Sequence, residues 1–229
     1  MKPENRIPEL DAARGICILG MVIVHLVYDL TELYPVLQRE YPPIFLLVKN
    51  WGGIAFFLIS GIAVTLGRRH LRRGLVVFGC GMLVSAAMDL SGAMPIRFGV
   101  LHCLGLCMLL WELFKKADTR MLAAAGILFA VLGLAFGRTT VSASWLYPLG
   151  LTAPGFQSAD FFPLLPYFGY FLLGACLGEL LYPNRRSLLL KVDFTKPFPH
   201  FFCLCGRHSL FIYLIHQPLL ILTIEALLV

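Results

Sequence analysis

Apolar runs broken by short charged or proline-rich stretches recur along all 229 residues. Seven of them are long enough to read as membrane spans, at about 12–33, 44–66, 74–90, 98–114, 121–136, 162–181 and 208–228. Several are short for a span, which a thin or locally thinned bilayer accepts. Helices close all their backbone hydrogen bonds within the segment, so runs of this length and composition predict an all-α polytopic bundle of about seven transmembrane helices. No internal repeat and no linker divides the chain, and residues 7–228 read as one transmembrane domain. The Trp51-Gly52-Gly53 turn of the second run predicts close backbone approach, and Ser60-Gly61 predicts helix packing. Residues 138–160, rich in Trp, Tyr, Pro and Gly, predict an interfacial lid or re-entrant piece. The stretch 182–205 is basic with an apolar middle, which predicts a segment along the membrane surface.

Composition agrees: 59% of residues are hydrophobic and only 14% charged, with a mean hydropathy of +0.80. A soluble domain carries nearer a quarter charged residues. The net charge of +6 does not point to nucleic acid, because the basic residues fall between apolar runs as they do in cytoplasmic loops. With the N-terminus inside, Lys2, Arg6 and Arg14, Arg68 to Arg73, Lys115 to Arg120 and Arg185 to Arg207 lie on the cytoplasmic side. Only Arg39, Lys49, Arg97 and Arg138 then face outward, and the C-terminus is outside. The N-terminus mixes Lys2 and Arg6 with Glu4 and Glu9 and lacks a small-residue cleavage site, so the first run reads as an uncleaved span. The seven cysteines lie mostly inside apolar runs without paired spacing; small buried hydrophobes and no metal site are expected.

The first span carries polar groups that lipid does not tolerate. At about 100° per residue, the eleven steps from Arg14 to His25 return to within roughly 20° of one direction, about 16 Å along the axis. Asp11, Tyr28 and Asp29 fall within about 60° of that line. Ionisable groups on one stripe must face the bundle interior, and such groups are functional by default. A histidine one turn from Asp29 suits general-base catalysis, with the carboxylate fixing the imidazole tautomer. An arginine at the inner end suits a phosphate or carboxylate entering from the cytoplasm. His102 lies at the outer end of the fourth run, after Arg97, while His216 and Gln217 lie within the last run, before Pro218. No nucleophile elbow, zinc-binding helix or phosphate-binding loop is present. A small-solute transporter or channel is the alternative class. It predicts paired repeats with broken helices, and the chain shows no repeat and only one strongly polar span.

The opening Leu10-Asp11-Ala12-Ala13-Arg14-Gly15 with His25 resembles the first span of the transmembrane acyltransferases. Three later motifs follow in order: Phe98 to Gly105, Phe162-Pro163 to Gly174, and Gly206-Arg207-His208-Ser209-Leu210 with His216-Gln217-Pro218. Together they are similar to the catalytic domain of the heparan-α-glucosaminide N-acetyltransferase family in its short bacterial form. The resemblance implies an acyl-CoA-dependent enzyme of the bacterial cytoplasmic membrane, moving acetyl from cytosolic acetyl-CoA to a sugar amine or hydroxyl. The acceptor would be an extracytoplasmic glycan or amino sugar. Membrane lipids are partners, and a second copy of the chain stays open as one. The animal enzyme of that family places its catalytic histidine in the loop after the first span, but residues 31–50 contain no histidine here. His25, matching the related sugar O-acyltransferases, is therefore the expected base, with Asp29 beside it. On this reading Arg14, Arg68 and Arg69 hold the CoA phosphates. Tyr28, Arg97, His102, His216 and Gln217 face the acceptor, with His102 or His216 binding either the acceptor or the developing oxyanion.

Overall fold

A computed structural model describes residues 7–36, 41 and 43–228. Lys2, Arg6 and Arg39, used above for orientation, lie outside the described residues. The described residues form eight α-helices, seven on the apolar runs and α7 between the last two: α1 (Pro8–Tyr28), α2 (Pro43–Leu66), α3 (His70–Ser91), α4 (Val100–Phe114), α5 (Thr119–Phe136), α6 (Leu164–Leu181), α7 (Pro197–Arg207) and α8 (Ser209–Leu228). A π-turn, Asp29–Leu33, continues α1 to Leu33. Among the described residues six helices are long and apolar enough to cross a membrane, against the seven expected. The remaining one, α4, spans 15 residues and is shorter than the run that predicted it. It starts late because Phe98 is held as extended backbone beside Phe161, and Phe162 N donates to Phe98 O at 2.9 Å.

The helices fall into two compact units. One is Phe57–Arg185; the other takes the described residues up to Phe56 together with those from Arg186 onward, so α2 contributes to both.

In the Phe57–Arg185 unit, small residues let backbones meet, as membrane helices require in the absence of a hydrophobic drive between them. A Cβ on Gly61 would run into the Phe171 backbone, and one on Gly105 into Phe78. Ser60-Gly61 is thus a packing site, as the sequence predicts. The segment between α5 and α6 folds back through a 3-10 turn (Ser144–Leu149) and a chain of rings, Tyr147, Phe156 and Phe161. Asp160 at its end accepts from Val100 N at 2.9 Å and so caps α4.

In the second unit α1 packs on α7 and α8. The α1–α7 contact is backbone against backbone. A Cβ on Gly15 would collide with Phe202 O, and one on Gly206 with Asp11 O. The surface segment expected within 182–205 is therefore partly a docked helix, with Cys203, Cys205 and Gly206 buried. Glu9 fixes the preceding loop, accepting from Ser187 Oγ and Leu188 N at 2.7 Å each. Gly52 makes no close backbone approach: its nearest neighbour is a methyl of Val48, 3.8 Å from where a Cβ would sit. All seven cysteines are free thiols, and no metal-binding cluster exists among the described residues.

Candidate functional site

The polar stripe of α1 meets α8 in the second unit. In the last turn of α1, His25 Nδ1 lies 2.9 Å from Met21 O. On α8, His216 Nδ1 lies 2.7 Å from Tyr213 O. A carbonyl oxygen only accepts, so each neutral ring carries its hydrogen on Nδ1 and leaves the Nε2 lone pair open. The two rings meet edge to face, with centroids 4.8 Å apart. Pro218 contributes to this arrangement: lacking an N–H, it removes one rung of the helix ladder just beyond His216.

Asp29 is fully buried. The expected bond from His25 to this carboxylate is not made. Both oxygens instead accept from Gln217 Nε2, at 2.9 and 3.0 Å. The reason lies in the backbone. A histidine within a helix reaches the carbonyl one turn back, so Met21 fixes its tautomer without a carboxylate. The π-turn begins at Asp29 itself, where Tyr34 N donates to Asp29 O at 2.7 Å across five residues. Such wide turns concentrate at functional sites, and the residue pattern of this segment does not announce one. His216 Nε2 and Gln217 Oε1 are, among the described residues, the buried side-chain atoms without a hydrogen-bond partner.

At the N-terminal end of the stripe, Arg14 Nη1 stands 3.6 Å from Asp11 Oδ1, and Arg207 Nε stands 3.2 Å from Asp11 Oδ2. Two guanidiniums around one carboxylate leave the triad cationic. Arg207 was not among the sequence candidates; its one signal was its place in the Gly206-Arg207-His208-Ser209-Leu210 motif.

The remaining candidates are distributed as follows. Tyr28 is on α1 and 53% exposed, so it does not share the buried face of Asp29. Arg68, Arg69, Arg97 and His102 belong to the Phe57–Arg185 unit. Arg68, Arg69 and Arg97 are exposed. His102 is buried between Phe78 and Phe98, and its Nδ1 accepts from Gly99 N at 3.2 Å, capping its own helix.

Six long apolar helices with acid–base groups buried on α1 and α8 define an integral membrane protein with an intramembrane polar site. The chain belongs to the family described as heparan-alpha-glucosaminide N-acetyltransferase, catalytic, whose model matches residues 6–218. That match spans Arg14, His25, Asp29, His216 and Gln217, and it makes the chain a membrane acetyltransferase. No curated protein and no solved structure gives a match.

Proposed function

We propose that this acetyltransferase takes acetyl from cytosolic acetyl-CoA and passes it to an amine or hydroxyl of a sugar on the extracytoplasmic side, with His25 as general base. The observation that carries this reading is the His25 tautomer. With Nδ1 donating to Met21 O, Nε2 is the basic atom, and it stands on the same helix as Arg14. About 16 Å of α1 separates the two residues. An extended pantetheine arm is of comparable length, so CoA phosphates near Arg14 bring the thioester to the level of His25. The cationic Asp11–Arg14–Arg207 triad supports the phosphate end.

In the reaction the nucleophile's lone pair attacks the thioester carbonyl. A C–N or C–O bond forms, the C–S bond breaks, and the proton leaving the nucleophile passes to His25 Nε2 and on to the CoA thiolate. A transient acetyl-histidine is equally compatible with this base. His25→Ala should fold and bind acetyl-CoA but lose transfer by about 10²-fold or more. Wild-type transfer by a folded, CoA-binding His25→Ala protein would remove His25 as the base.

A further inference from the structure

Resting on the acetyl-transfer reading above, we propose that His216 and Gln217 form an acceptor pair that receives donor hydrogens of the incoming sugar, and that Asp29 is a positioning residue acting through Gln217 rather than through His25. The argument starts at the carboxylate. It can only accept, so the amide end that meets it must be the NH2 group, as the 2.9 and 3.0 Å contacts of Gln217 Nε2 have it. Fixing the NH2 on Asp29 fixes Oε1 on the other side of the amide. That oxygen is buried and has no partner among the described residues.

The neighbouring His216 is more than nine-tenths buried, at 8% exposure. Its Nδ1 donates to Tyr213 O, so its unpartnered Nε2 is an acceptor too. Buried polar atoms in folded proteins nearly always have a partner, and an exception needs a reason. Two adjacent exceptions of one sign, on the residues beside a contacting histidine that serves as base, are explained by a ligand that brings N–H or O–H donors. An oxyanion brings none. Of the two roles the sequence leaves open for His216, binding the acceptor therefore fits and stabilising the oxyanion in its neutral form does not. The amide orientation depends on a carboxylate at position 29, because an amide there accepts or donates equally well and lets Gln217 turn over.

The test uses the purified full chain in lipid nanodiscs, radiolabelled acetyl-CoA as donor and D-glucosamine as acceptor probe. His216→Asn and Asp29→Asn should each raise the glucosamine KM by about tenfold, the effect of one lost hydrogen bond, with the acetyl-CoA KM unchanged. A merely structural role would move both constants or neither. As a readout independent of transfer, 15N-labelled histidine should show one Nε2 resonance, absent from His216→Asn, that shifts when glucosamine is added. Unchanged glucosamine KM in folded variants, or a His216 Nε2 resonance indifferent to glucosamine, overturns the assignment and leaves the two atoms to structural water. Failure of the wild-type protein to acetylate glucosamine, galactosamine or glucose removes the acetyl-transfer reading itself, and this assignment with it.

Discussion

Gly206→Ala is the sharpest test of how the Arg14 end of the site is held together. A Cβ at that position would overlap Asp11 O outright and stand 2.7 Å from Asp11 C and 3.0 Å from Gly15 N. Carbon contacts settle at about 3.5–4.0 Å, so α1 and α7 would have to part by roughly 1 Å. Neither side can yield by a rotamer change, since all three of these atoms are backbone. Overpacking of a tight interface costs about 1–3 kcal/mol, and a backbone-on-backbone clash belongs at the upper end. Parting the helices also lengthens the 3.2 Å Arg207–Asp11 contact, so CoA binding should weaken along with stability. Gly79→Ala is the control, because nothing lies within 4 Å of its Cβ position. It should be neutral or stabilise α3 by up to about 1 kcal/mol. The assay is native: Cys203 and Cys205 are buried on α7, and burial pushes both thiols above their ordinary values. They stay unreactive while α7 is docked and take up a fluorogenic maleimide when it leaves. Thermal labelling in detergent should show Gly206→Ala releasing its thiols on the order of 5 °C or more below wild type. Equal midpoints for Gly206→Ala, Gly79→Ala and wild type would refute the close α1–α7 contact.

The remaining predictions concern the donor and the topology. Arg14→Ala should weaken acetyl-CoA binding by about tenfold or more, read by titration calorimetry at physiological salt. Unchanged affinity would leave Arg14 an ion-pair partner of Asp11 with no part in donor binding. The charge distribution puts the loop before α7 inside and the segment before α6 outside. An impermeant thiol reagent on intact cells should label Ser142→Cys and spare Leu190→Cys, and the reverse pattern would invert the orientation. Leu190 suits this purpose because it is 85% exposed, whereas nearby Ser187 is engaged by Glu9.

The periodic and compositional content of the fold is legible in the sequence. Apolar runs became helices, and the eleven-residue spacing of Arg14 and His25 fell on one helix. Polar partnership was less legible. Four-residue spacing made Asp29 the natural partner of His25, yet within the helix the carbonyl of Met21 is nearer to hand and leaves the carboxylate for another helix. That other partner, Gln217, lies 188 residues away, a separation that no local pattern bridges. Arg207 was counted among loop charges because nothing in the sequence tells a docked amphipathic helix from a surface one. The difference lies in two glycines, Gly15 and Gly206, that permit contact only as a pair. Gly52 makes no such contact, because a glycine allows approach without causing it.

The π-turn explains how a buried carboxylate can be reserved for a residue so distant. At the end of an ordinary helix the last carbonyls are unpaired, and a nearby polar side chain is drawn to local backbone groups. Here the wide turn supplies that need itself: Tyr34 N donates to Asp29 O, and buried Thr31 turns its hydroxyl to Val27 O at 2.8 Å. The Asp29 side chain is left to face α8. A second rung follows nearer the C-terminal end of α8, where Tyr34 Oη donates to Glu225 Oε1 at 2.8 Å. Gln217 and Glu225 are eight residues apart, about 12 Å along α8, so the two rungs fix both the separation and the rotation of α8 against α1. The Glu225 carboxylate raises the Tyr34 phenol above its ordinary value. A raised phenol keeps its donor hydrogen to higher pH, so this second rung persists throughout the neutral range. Rotation is what matters to the chemistry, since at about 100° per residue a slip of one position would swing His216 away from His25.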